Sequence, residues 1–134
     1  MIEQHITHLM EDLGLPPITS KDSKGYFQIP LQGDLKISLK DLSPGFELVS
    51  SLGPILNQNK EELLTYLMKA NFLGQGTGEQ IIGMNLDEKF LTLSRSITYE
   101  INYPKFKEIL EDFTNYLIYW TGEVKRIQTI QPTP

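Results

Sequence analysis

The spacing of apolar residues changes period along this chain, and that change limits its fold more than any other feature. Ile2, Ile6, Leu9 and Leu13 recur every three or four residues, which lays one apolar stripe along a first helix. Gly14 supplies a stop, and Pro16-Pro17 bars continuation. From Phe27 the period becomes two. Phe27, Ile29 and Leu31 alternate with Tyr26, Gln28 and Pro30; after a Gly33-Asp34 turn, Leu35, Ile37 and Leu39 alternate with Lys36, Ser38 and Lys40. This predicts a hairpin with one apolar face. Pro30 has no N–H to give to a ladder, so the first strand is expected to lie at a sheet edge or to stop there. Pro44-Gly45 marks the next turn, and Phe46 to Leu52 reads as a third strand with Phe46 and Leu48 on one face and Val49 on the other.

The period then returns to that of a helix. Asn59 opens it, with Glu62 three residues on in the spacing of a capping box. Leu63, Leu64, Tyr66, Leu67, Met68, Ala70, Phe72 and Leu73 cover more than one face of this second helix. A helix apolar on nearly all sides must be buried on nearly all sides. In a chain of 134 residues a sheet can cover one side, and a second subunit is the natural cover for the other. Gly74, Gly76 and Gly78 form a pliant exit; Ile81 to Leu86 and Phe90 to Ile97 read as another hairpin, turned at Asp87-Glu88-Lys89. Asn102 and Pro104 start a long last helix whose apolar face is Tyr103, Phe106, Ile109, Leu110, Phe113, Leu117, Trp120 and Val124. The resulting order, α-β-β-β-α-β-β-α, predicts an α+β sandwich with helices packed on a twisted, mainly antiparallel sheet. Residues 1–127 read as one domain and 128–134 as a flexible C-terminal tail.

Composition excludes several functions. Seventeen Asp and Glu against twelve Lys and Arg give a formal charge of −5, which repels phosphate backbones and anionic membranes. The absence of cysteine removes disulfides, thiolate metal sites and cysteine nucleophiles together. His5 and His8 are the two histidines, three residues apart and off the Ile2/Ile6/Leu9 stripe, so they read as a solvated helix face rather than a metal site. The run Gly74-Gln75-Gly76-Thr77-Gly78 follows a helix and precedes a strand, the reverse of a dinucleotide loop, and lacks the Lys of a P-loop. No serine lies in a nucleophile elbow. These features predict a binding protein without catalysis, cofactor, metal or direct nucleic-acid contact. The first residues lack the basic start and apolar core of a signal peptide, and no apolar run is long enough to span a bilayer, so the expected location is the cytosol.

Four segments carry a family resemblance. Leu63-Leu64-Thr65-Tyr66-Leu67-Met68-Lys69-Ala70-Asn71-Phe72-Leu73-Gly74, then Gly76-Thr77-Gly78-Glu79, then Ile82-Gly83-Met84-Asn85-Leu86-Asp87 and Leu91-Thr92-Leu93-Ser94-Arg95 resemble the class I type III secretion chaperones of the CesT/SycE-like kind. In that family a helix ending in an Ala-Asn-hydrophobic-Gly pattern leads through a glycine-rich loop into a Gly-Leu-Asp-like strand and then a Leu-x-Leu strand. The chain departs from this in placing Met84-Asn85 between Gly83 and Leu86, and in the lysines of its first hairpin.

The resemblance implies an ATP-independent dimer in the bacterial cytosol. Such a protein holds the N-terminal chaperone-binding region of a secreted effector or gatekeeper protein, keeping it soluble and secretion-competent for the export apparatus. It implies a homodimer, with a heterodimer of related chaperones as the alternative, and no membrane insertion. Joined to the reading above, it assigns Leu63, Leu67, Ala70 and Phe72 to the dimer interface. It assigns Ile2, Ile6, Leu9, Ile29, Leu31, Leu35 and Ile37 to the cargo surface. Two competing readings use the same sequence: a regulatory protein that sequesters a transcription or secretion regulator, and a small enzyme of unrecognised type.

Overall fold

The computed structural model describes residues 2–129 except Gln32, Gln75, Leu86 and Glu88, together with every side chain in that span but Leu73's. Its elements are α1 (Ile2–Leu13), β1 (Phe27–Pro30), β2 (Lys36–Asp41), β3 (Phe46–Pro54), α2 (Lys60–Asn71), a 3-10 turn (Phe72–Gly74), β4 (Ile81–Asn85), β5 (Phe90–Ile97) and α3 (Tyr103–Gln128). The strands form one antiparallel sheet in the order β1-β2-β3-β5-β4. The fold is therefore α+β in the order that the periods predicted. The chain divides into two compact units, Met1–Ser50 with Arg95–Asp112 and Ser51–Ser94 with Phe113–Pro134.

The first unit is built around α1 and the first hairpin. Helix α1 ends as Gly14 adopts φ 66°, with the N–H of Gly14 bonded to the Glu11 carbonyl and that of Leu15 to the Met10 carbonyl. This is a Schellman stop, for which glycine is the least strained residue. The helix buries Ile2, Ile6, Leu9 and Met10, while Leu13, the last member of the expected stripe, is exposed. Four residues beyond Leu9, position 13 keeps the face of Ile6 and Leu9 but is the last residue of α1, beyond the buried part of the helix, and Met10 widens the buried stripe beside Leu9.

The hairpin pairs Phe27 with Leu39 and Ile29 with Ile37, and all four side chains are buried. The Leu31 N–H reaches the Leu35 carbonyl at 2.8 Å and closes it. Pro30 ends β1, which pairs with β2 alone and is an edge strand as expected. Gly45, at φ 85°, follows the cis Ser43–Pro44 bond. A Cβ there would collide with the Ile97 carbonyl, so this turn requires glycine on two counts.

His5 corrects the reading of a solvated face, whereas His8 is exposed as expected. His5 is half-buried, its ring stacked on Phe106 at 5.1 Å and its Nε2 3.0 Å from the Ile101 carbonyl. His8 stacks on Tyr103 at 3.6 Å, and the Tyr103 hydroxyl donates to Asp12. Aromatic residues at the start of α3 thus give polar positions on α1 a packing role that helical periodicity does not register.

The second unit holds α2, β4 and the C-terminal half of α3. From Phe113 onward the buried seam runs Phe113, Leu117, Trp120, Val124 and Ile127, alternating steps of four and three. Gln128, where a loose tail was expected to begin, is the last residue of α3; it is buried and donates to the Pro54 carbonyl at 2.9 Å. The rest of that tail, from residue 130, lies outside the described residues.

Candidate protein-binding surfaces

The motif that carries the family resemblance builds one corner of the second unit. Asn71, the last residue of α2, holds the main chain of Ile82 in β4 twice, donating from Nδ2 to its carbonyl at 2.8 Å and accepting its N–H at 2.9 Å. A side-chain amide here replaces a neighbouring strand, satisfying both groups of one residue of β4. Gly76 packs so closely on Ala70 that an added Cβ would stand 3.0 Å from the Ala70 Cβ. Its N–H bonds to the Ala70 carbonyl, and its carbonyl accepts from the Trp120 indole at 2.9 Å. Ala70 and Gly76 are small because two backbones meet there, and Asn71 is an amide because it pairs with a strand. The glycine run is thus a structural corner, with Thr77 and Gln80 buried inside it.

Beside this corner α2 and α3 enclose a groove of about 570 Å³ lined by Tyr66, Lys69, Ala70, Gly76, Asn115, Tyr116, Tyr119 and Trp120. Its far wall is tied by Glu123, which accepts from the hydroxyls of Tyr66 (2.8 Å) and Tyr119 (3.3 Å) and pairs with Arg126 at 2.6 Å. The Arg126 guanidinium and then the Tyr66 hydroxyl hold the Glu123 carboxyl below its ordinary range. The hydrogen bond with Tyr119, followed by burial and the bond to Glu123, pushes the Tyr66 phenol up. Both shifts leave the residues in the ionisation states that bond best, so the cluster is a latch between helices.

Asn59 does not complete the expected capping box. It sits at φ 57° with no side-chain cap bond, and its Nδ2 donates to the Ile127 carbonyl at 2.8 Å. The left-handed backbone turns the amide away from the helix start and toward the end of α3.

The residues assigned to interfaces divide by burial. Of the dimer set, Leu63, Leu67 and Ala70 are buried on the inner side of α2, whereas Phe72 is 64% exposed. Helix α2 is therefore not buried all round within the chain: Met68 is 73% exposed, and Leu64 is half-buried. On β4, an edge strand, Ile81 and Met84 are also exposed. The outward side of α2 and the edge of β4 hold the apolar surface that sequence reasoning placed one helical face away. Exposed Met68 was visible in the sequence, but only the inner packing of Leu63, Leu67 and Ala70 shows which face remains.

Of the cargo set, Ile2, Ile6, Leu9, Ile29 and Ile37 are fully buried in the first unit, so they have no surface to present while that packing holds. Leu31 and Leu35, at the turn end of the hairpin, are half-buried. The open edge of β1 has a main chain of limited reach. Because Leu31 and Leu35 form a hydrogen-bonded pair, Phe27 and Ile29 bond toward β2, and Gln28 and Pro30 face outward. Asp22 already satisfies both main-chain groups of Tyr26, by its carboxylate and its N–H. Among the described residues no group of three or more His, Cys, Asp or Glu could hold a metal ion, and no helix is long and apolar enough to cross a membrane.

The profile of the Tir chaperone protein (CesT) family matches residues 4–121. No curated protein matches the chain by sequence. Solved structures match its fold over nearly its full length. A chain of the HopA1–SchA chaperone–effector complex superposes with a TM-score of 0.72 at 14% identity, covering 90% of this chain and 93% of that one. A chain of the heterodimeric ExoU–SpcU complex from the type III secretion system of Pseudomonas aeruginosa gives 0.70 at 14% identity, covering 96% and 98%. A chain of the complex between the Yersinia pestis type III secretion chaperone SycH and a fragment of YscM2 gives 0.65 at 11%, covering 90% and 99%.

Proposed function

Because this chain belongs to the Tir chaperone protein (CesT) family, we propose that it is a type III secretion chaperone of the bacterial cytosol. It binds the N-terminal chaperone-binding region of a secreted effector or gatekeeper protein and keeps it soluble and secretion-competent without ATP. The protein is a chaperone by family and not an enzyme. The match of the family profile from residue 4 to residue 121 carries this reading, and the fold shared with a chaperone–effector complex supports it.

The surfaces give the reading its physical form. A cargo segment adds to the open edge of β1, bonding to the main chain of Gln28, while Leu31 and Leu35 contact its side chains. The buried Ile2, Ile6, Leu9, Ile29 and Ile37 hold that edge in place from behind. A second copy covers the outward side of α2 through Met68 and Phe72, with Ile81 and Met84 at its margin, and Leu63, Leu67 and Ala70 support the helix from within. A related chaperone could replace the second copy on the same surface, and the export apparatus receives the loaded complex.

Co-expression with candidate secretion substrates encoded nearby tests the proposal. One substrate should co-purify with the chain and be lost when its N-terminal segment is removed. Co-purification of a cytosolic regulator and of no secretion substrate would overturn it.

A further inference from the structure

The long helix α3 carries an unpartnered stripe of its own. Glu111, Asn115, Ile118, Gly122 and Lys125 follow one another in steps of four and three, on the side opposite the buried Phe113, Leu117, Trp120 and Val124. Ile118 is 56% exposed and Tyr119 beside it 53%. Gly122 is exposed, and a Cβ built on it would meet nothing within 4 Å. Glycine in a helix interior weakens the helix relative to alanine. At Gly45 and Gly76 the chain's own packing explains the missing side chain; at Gly122 it does not.

We propose that this stripe is a contact for a second copy of the chain, with two α3 helices crossing antiparallel about a two-fold axis. The stripe is complementary to itself. A bulky residue, Ile118, stands one turn from a notch, Gly122, so a two-fold axis seats Ile118 over the partner's Gly122 and repeats the contact in reverse. The same register sets Asn115 opposite the partner's Lys125, an amide oxygen against an ammonium. It also leaves Glu111, one turn farther on, within reach of that same cation. Negative charge lies at one end of the stripe and positive at the other, which favours the antiparallel arrangement and opposes the parallel one. A chain residue with a Cβ at position 122 would hold the two backbones apart. This contact is separate from the outward side of α2, and a chain with two such faces assembles beyond a dimer.

Light scattering and sedimentation of the full chain test the contact. Gly122→Ala should raise the unfolding midpoint, because the helix gains propensity, while weakening association through α3 at least tenfold. Met68→Glu, which removes the α2 face, should leave dimers, and adding Gly122→Ala to it should leave monomers. In the Met68→Glu background, Glu111→Lys and Lys125→Glu should each weaken association, and the two together should restore it. A Met68→Glu chain that is monomeric, or one whose mass Gly122→Ala leaves unchanged, overturns the α3 contact. Should Met68→Glu leave the wild-type mass unaltered, the α2 reading fails and Gly122→Ala alone decides: monomers support the α3 contact, and dimers overturn it.

Discussion

Glu123 shows how one carboxylate can organise two helices. Its depressed proton affinity means that folding favours the charged form. The stabilisation is complete above the ordinary carboxyl value of 4.5 and is lost as pH falls through the lower folded value. Urea midpoints measured from neutral pH downward should therefore fall along the acid limb. Glu123→Gln should be less stable than the wild type at neutral pH, and the gap should close as the carboxyl protonates. An unchanged gap would show that the geometry of Tyr66 and Tyr119, rather than charge, sets the contribution. The sequence shows Tyr119, Glu123 and Arg126 only as neighbours on one helix, and it gives no sign of Tyr66, which is separated from Glu123 by 57 positions. The close approach of Gly76 to Ala70 is equally hidden, although the small residues that permit it are in plain view.

Among the elements, the corner between α2 and β4 depends most on a single side chain. Asn71→Ala would leave the N–H and carbonyl of Ile82 without their partner, at a cost of about 2–3 kcal/mol for the two bonds. Denaturant titration measures the loss, and hydrogen exchange at Ile82 should quicken in step. Asn71→Asp keeps one acceptor and should recover the bond from the Ile82 N–H but not the other. The elements themselves were readable because a single period dominates each: Leu91, Leu93 and Ile97 hold one face of Phe90–Ile97, broken by Arg95, and α1, α2 and α3 keep helical spacing. What periodicity could not supply was the use of each face. It marks Leu63 and Met68 alike as apolar, although one is buried and the other projects into solvent. It also treats His5 and His8 as polar, although both stack on aromatic residues. The assignment of Ile2, Ile6, Leu9, Ile29 and Ile37 to a binding surface met the same limit, since the strongest apolar stripes are the ones a chain uses for its own core.

At the scale of the whole molecule, the proposed pairing of exposed apolar residues on α2 and β4 would make stability depend on concentration. Association of folded chains stabilises them by mass action, so the unfolding temperature of a homodimer rises with total chain. Thermal scans over about a hundredfold range of concentration should show a rise of several degrees. Met68→Glu should weaken that dependence to the part owed to the α3 contact, without lowering the midpoint of the dilute chain, because the side chain is mostly exposed. A midpoint independent of concentration would count against the homodimer.

The short edge of β1 has a further consequence, for release. With Asp22 closing one end and Pro30 lacking a donor at the other, an added strand finds the N–H and carbonyl of Gln28 and the Pro30 carbonyl, and little else in the backbone. Three main-chain bonds hold weakly and discriminate little among sequences, so a cargo bound in the proposed way would owe its selectivity to side chains such as Leu31 and Leu35. A grip of that kind suits a segment that must be handed on unfolded, and it denies copies of the chain a template on which to stack without end.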